Sequence, residues 1–179
     1  MSCLATVANK NAAETCGVDL TKQITWDSML EDGKKLHAEN PDYYYLNTDT
    51  KILCEYVLRP YLRQMTGESF IIDSEKKMSF TREQLVEVLT YIKDCYDGGV
   101  FEPAEDSATF KGQIHTNPKW MDGKFVFAYG PSSSINLLMD AVPEAECTVV
   151  QMPMAEDRVN DGFFADTPQY MTVNKNSEH

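Results

Sequence analysis

The chain has 179 residues, 42% hydrophobic and 25% charged, the make-up of a globular domain large enough to bury a real core. Its formal net charge is -12, and no Lys/Arg cluster exceeds Lys34-Lys35 or Lys76-Lys77, which argues against a phosphate-backbone partner. No apolar run approaches the ~20 residues that span a bilayer, and the five cysteines form no Cys-x-x-C, which excludes a zinc knuckle or a thioredoxin-type motif.

Leu4 to Val7 reads as a strand. Asn11 to Cys16 reads as a short helix closed by Gly17, the residue that best tolerates a left-handed cap. Thr25 is the expected N-cap of the next helix, whose stripe is Trp26, Met29, Leu30, Gly33 and Leu36. That helix ends by Asn40, because Pro41 disfavours the α conformation before it. Tyr43 to Leu46 is a short strand, followed by the turn residues Asn47, Thr48 and Asp49.

Ile52, Leu53, Tyr56, Val57, Tyr61, Leu62 and Met65 trace a second amphipathic helix that stops near Gly67. Pro60 lies inside it and is expected to kink or break it. Ser69 to Asp73 and Lys77 to Phe80 suggest a hairpin. Thr81 with Gln84 fits a capping box, and Leu85, Val88, Leu89, Ile92, Cys95 and Tyr96 form the expected buried face of that helix. Cys54 and Cys95 both fall on apolar helix faces and read as buried thiols.

Asn117-Pro118 opens a helical turn, Asp122-Gly123 makes a turn, and Phe125 to Tyr129 is a buried strand ending in Gly130-Pro131. Ser132, Ser133 and Ser134 then open a helix expected to run to Val142. Thr148 to Met152 is a strand ended by Pro153, 154–162 is a polar loop, and Tyr170 to Val173 is a last strand. Alternating strands and helices point to α/β layers on a mostly parallel or mixed sheet. The short N-terminus lacks a basic start, which fits a cytosolic protein or a piece of a longer one, and the chain stops on a helix-start pattern, which again suggests a piece.

Five stretches, taken in order, resemble the second lobe of an extracellular solute-binding protein of an ABC importer, of the sugar and maltodextrin-binding group. Asn9-Lys10-Asn11-Ala12-Ala13-Glu14 with Cys16-Gly17-Val18-Asp19, and then Thr25-Trp26-Asp27, resemble two helix openings of that family. Gln84 to Gly99, followed by the spacing Gly99 to Pro103, resembles a helix and turn. Trp120 to Pro131 resembles its Gly-Lys strand ending in Gly-Pro, and Tyr170 to Asn176 resembles the strand before a later helix.

The resemblance implies a periplasmic-binding-protein-like (type II) α/β lobe, a mixed sheet flanked by helices, as one of two lobes around a cleft. All of 1–179 would be that single lobe. It implies a binding component that captures a solute, a sugar or oligosaccharide, and hands it to an ABC permease. It also implies a protein that is extracellular or periplasmic and attached to the cell envelope as a bacterial lipoprotein, without direct membrane insertion. The implied ligand wall is Tyr129, Gly130, Pro131, Ser132 and Ser133, with Asn47 and Asp49 on the same rim and Phe163 and Phe164 nearby. Asn47 and Asp49 fit an Asx turn equally well. A tryptophan often follows the Gly-Pro in that family, and Ser132 stands there instead, which opens the site to a different sugar or a small polar solute.

No catalytic set is expected. Neither Gly-x-Ser-x-Gly nor His-Glu-x-x-His occurs, and His37, His115 and His179 have no nucleophile beside them in a known arrangement. Asp157, Asp161 and Asp166 do not match a calcium-loop spacing. No metal and no cofactor is expected. The alternatives are a fragment of a carbohydrate-active hydrolase, or an unrelated α/β ligand-binding domain.

Overall fold

The computed structural model describes residues 2–163 and 165–166. Its sheet is mixed, in the order β2-β5-β1-β6, and β7 (Ala165–Asp166) pairs with the start of β1 (Ser2–Asn9). β2 (Tyr44–Asn47) runs parallel to β5 (Phe125–Pro131), while β1 is antiparallel to β5 and to β6 (Cys147–Val150). β5 is central, and Phe125 to Gly130 are all buried. A continuous apolar run of this kind belongs to a strand covered on both faces. Each of its Phe and Val side chains removed from water contributes about 1.5–3 kcal/mol.

The helix starts follow local chemistry. Asn9 caps α1 (Lys10–Thr15) by accepting from the Ala12 amide, and Gly17 leaves with φ 69°. Thr25 and Ser28 make a reciprocal capping box on α2 (Trp26–Glu39), and Thr81 and Gln84 make one on α5 (Arg82–Asp97). Both tryptophans are buried and spend their indole N–H inside. Trp26 Nε1 donates to Gln64 Oε1 at 2.7 Å, and Trp120 Nε1 donates to the Leu138 carbonyl at 2.9 Å. β3 (Ile71–Ile72) and β4 (Lys77–Met78) form the expected hairpin, as a separate two-stranded sheet.

An ion pair between buried Glu102 and half-exposed Lys119 anchors the approach to β5. Glu102 is 2% exposed and accepts from Asn117 Nδ2 at 2.7 Å and from Lys119 Nζ at 2.5 Å. Asn117 also caps α7 (Pro118–Met121), so one residue both starts the turn and satisfies a buried carboxylate. Burial pulls the Lys119 ammonium down, but Glu102, Asp106 and Tyr44 overcome this and leave it above the ordinary lysine value.

Four expectations are corrected. Pro60 does not break its helix. α3 (Thr50–Ile52) passes through a π-helical segment (Leu53–Leu58) into α4 (Arg59–Thr66), with the Arg59 amide bonding back to the Cys54 carbonyl. Proline has no N–H to offer the preceding turn, and the wider π register absorbs that missing donor. Cys54 is exposed, because Leu53, Tyr56 and Val57 define the buried stripe and leave it to one side. On α5 it is Val88, Tyr91 and Cys95 that are buried, whereas Leu89 is exposed. The helix after β5 is shorter than expected: a 3-10 turn (Ser132–Ser134) precedes α8 (Ile135–Asp140), and the Ser134 side chain at the N-cap makes no capping hydrogen bond. The strand expected at Tyr170 to Val173 lies outside the described residues.

Candidate functional site

The parallel pair β2 and β5 ends on the same edge of the sheet at which antiparallel β1 begins, with Asn47 opposite Ala128 and Leu4 opposite Pro131. Loops beyond the carboxyl ends of parallel strands are where α/β sheets leave room for ligands. A cavity of about 410 Å³ opens there. Tyr129, Gly130 and Pro131 form part of its wall, beside Cys3 and Leu4 from β1. Lys51, Ile52, Glu55, Tyr56 and Arg59 line it from the helical run through the π segment. Gly112, Ile114 and His115 close another side, and Ser134, Leu137 and Leu138 complete it.

The structure sorts the expected site residues into different roles. Tyr129, Gly130 and Pro131 do border the cavity. The Tyr129 hydroxyl, however, lies 3.7 Å from Met29 Sδ, and the residue is 2% exposed, so its polar end serves the core. Burial pushes this phenol well above the ordinary tyrosine value. Gly130 fits closely, since a Cβ there would lie 3.2 Å from Leu138 Cδ1.

Ser132 is not in the wall; its Oγ accepts from the Cys3 amide at 3.2 Å and ties the 3-10 turn to β1. Ser133 is exposed beside it. Asn47 and Asp49 are fully buried and hold the wall from behind. Asn47 Nδ2 donates to the Ile114 carbonyl at 2.8 Å. Asp49 caps α3 by accepting from the Ile52 amide at 2.8 Å and accepts from the Gly112 amide at 2.6 Å. Phe163 is exposed and does not border the cavity, and Phe164 lies outside the described residues.

Lys51, Glu55, Tyr56, Arg59 and His115 were not anticipated at the site. Tyr56 is informative: its ring stacks on Tyr129 with centroids 6.1 Å apart, and its hydroxyl makes no hydrogen bond among the described residues. Burial first, and then the nearby Glu55 charge, push this phenol up and keep it a donor at any physiological pH. The ring is 6% exposed, so Tyr56 belongs to the core and meets the cavity only at its edge. The one early signal was Pro60 inside an amphipathic helix, since π segments recur at functional sites.

A catalytic constellation is not assembled among the described residues. Among the described residues Glu55 is the one carboxylate in the cavity wall, whereas glycoside hydrolysis ordinarily needs two. Cys3 and His115 share the wall, but no hydrogen bond joins them. The His37 Nδ1 lies 2.9 Å from the Tyr43 carbonyl, and its ring stacks on Tyr44, a structural use. Asp161 pairs with Arg158 at 3.1 Å. Among the described residues there is no cluster of three metal-type ligands, and no helix is long and apolar enough to cross a membrane.

No protein-family model matches the chain, and no curated protein sequence matches it. Solved structures do share its fold. A periplasmic solute-binding protein from Pectobacterium atrosepticum aligns over 90% of this chain and 41% of its own length, with a TM-score of 0.77 at 19% identity. A periplasmic oligogalacturonide-binding protein from Yersinia enterocolitica aligns over 92% and 41%, with a TM-score of 0.79 at 23% identity. A de novo designed cysteine esterase aligns over 91% and 40%, with a TM-score of 0.78 at 23% identity. The chain thus spans about two fifths of the length of these structures. At such identities the likeness is one of fold.

Proposed function

We propose that this chain, which has the fold of one lobe of a periplasmic-type solute-binding protein, supplies one wall of a solute-binding cleft. The observation that carries the reading is the cavity at the sheet edge, built from the ends of β1 and β5 and from the π-helical run. The solute is a carbohydrate: Tyr56, although only 6% exposed, borders the cavity with a hydroxyl that has no partner among the described residues, and the oligogalacturonide-binding protein has the same fold. A second lobe closes over the solute by hinge motion, and the closed form delivers it to an ABC permease. The whole protein then works outside the cytoplasm, in the periplasm or as a lipoprotein on the cell surface. On this reading 1–179 is one lobe, the ligand wall includes Tyr129, Gly130 and Pro131, and Ser132, Ser133, Asn47 and Asp49 shape it.

Half of a cleft binds weakly, because the lobe alone forms fewer contacts against the same ordering cost. An amide NMR titration with millimolar disaccharides suits that regime. Shifts are expected at Cys3 and Leu4, Lys51 to Arg59, Gly112 to His115, and Gly130 to Ser134. Shifts confined to other surfaces, or turnover of a chromogenic glycoside or ester, would contradict the reading.

A further inference from the structure

The charges at the cavity run against those of the chain. The protein carries a formal net charge of -12, yet among the described residues the wall holds two basic side chains, Lys51 and Arg59, against one carboxylate, Glu55. The spacing 51, 55, 59 would support Lys–Glu–Arg pairing along a regular helix. No such ion pair forms: among the described residues neither Lys51 nor Arg59 has a carboxylate partner within 4.0 Å. The Arg59 guanidinium instead rests 5.5 Å from the Phe70 ring centroid, which holds its planar fork without neutralising it. The Tyr56 hydroxyl adds a neutral donor between them in sequence.

From these groups we infer that the cavity takes an anionic saccharide, one whose carboxylate is met by Lys51 and Arg59. Guanidinium and ammonium donors with no counter-ion favour a planar carboxylate over a hydroxyl. Glu55, four residues from each cation along the helical run, repels an anion beside it, so the two cations must outweigh it. This inference rests on the cavity being a solute wall and names the solute's charge.

The test compares digalacturonate with neutral galactobiose of the same linkage, by amide NMR titration of the full chain at low salt. Digalacturonate is expected to bind about five- to tenfold tighter, the effect of two partly solvated charge pairs. Lys51→Gln with Arg59→Gln should reduce that preference to about twofold, and Glu55→Gln should increase it. Raising the salt should erase it. Equal shifts from both sugars at the cavity residues would overturn the charge inference and leave the sugar-wall reading standing. Shifts from neither sugar at those residues would overturn the sugar-wall reading and this inference with it. An acidic preference unaffected by the double substitution would also overturn it, because the anion would then sit elsewhere.

Discussion

Gln64→Ala is expected to lower the stability of the chain by about 3–5 kcal/mol, read as a shift of the urea midpoint by circular dichroism. Gln64 is fully buried and uses its amide completely. Its Oε1 accepts from Trp26 Nε1 and from the Ala155 amide, both at 2.7 Å. Its Nε2 donates to the Pro153 carbonyl at 2.9 Å and to the Asp161 carbonyl at 3.3 Å. One side chain therefore fastens α2, α4 and residues 153–161 together. Truncation strands two buried donors, each costing about 1–3 kcal/mol, and leaves a void between the helices. Gln64→Met fills the void but not the hydrogen bonds, so it should recover only a minor part of the loss. A loss below about 1 kcal/mol for the alanine variant would show that water or local shifts replace the hub.

Alkaline pH is expected to unfold the protein cooperatively, between about pH 10.5 and 12.5. Seven of the nine tyrosines have raised pKa values, with burial as the first cause in each: Tyr44, Tyr45, Tyr56, Tyr61, Tyr91, Tyr96 and Tyr129. Tyr61 is pushed up to about 12, and Tyr91 donates its hydroxyl to the Trp26 carbonyl at 2.8 Å.

The sign follows from proton counting. Above about pH 10 the unfolded chain loses phenolic protons that the folded chain keeps, so stability falls as pH rises. Below that it is fully present. Tyr45, Tyr91 and Tyr129 are 1%, 7% and 2% exposed, so solvent screening reduces their share little. Each contributes about 1.4 kcal/mol per pH unit, about 4 kcal/mol per unit for the three. That removes an ordinary domain stability of about 5–15 kcal/mol within a few pH units. The raised Lys119 acts in the same direction. Tyrosinate absorbance should rise together with the loss of helical signal. A gradual rise centred near about pH 10 with helix content unchanged would contradict the burial of these rings.

The parts of the fold that local chemistry decides were legible in the residues. Thr25, Thr81 with Gln84, and Asn117-Pro118 each start a helix where expected, because a cap needs only its near neighbours. The run Phe125 to Tyr129 announced a central strand by its unbroken apolar content. Pro60 disturbs the α register, as expected, but does not end the helix, because a π segment accommodates the missing donor. Leu89 was misassigned because a helical stripe shows which residues share a face, not how far the neighbouring helix covers it.

The site divided along the same line. Gly130-Pro131 at a strand end marked the edge of the sheet at which the cavity opens. The other half of the wall, Lys51 to Arg59, looks in sequence like the solvated face of an amphipathic helix. Only the packing of that helix against β5, through Tyr56 on Tyr129, turns its face into a cavity wall. Asn47 Nδ2 and the Asp49 carboxylate sit beside the site but spend their hydrogen bonds on Ile114, Ile52 and Gly112 and so serve the scaffold, while the buried Asn47 Oδ1 has no partner among the described residues.

The central claim is that the cavity at the end of β5 receives the solute, and the cysteines provide an internal probe of it. Cys3 and Cys54 are both exposed, but only Cys3 borders the cavity. Cys95 is buried, with its thiol pushed up to about 12 first by burial, and serves as an inert reference. The measurement is the alkylation rate of Cys3 relative to Cys54 in the native chain, by mass spectrometry, across a panel of neutral and acidic disaccharides at millimolar concentration. At least one disaccharide should slow Cys3 and leave Cys54 unchanged. If every disaccharide leaves the Cys3 to Cys54 ratio unaltered, the cavity is not the solute wall.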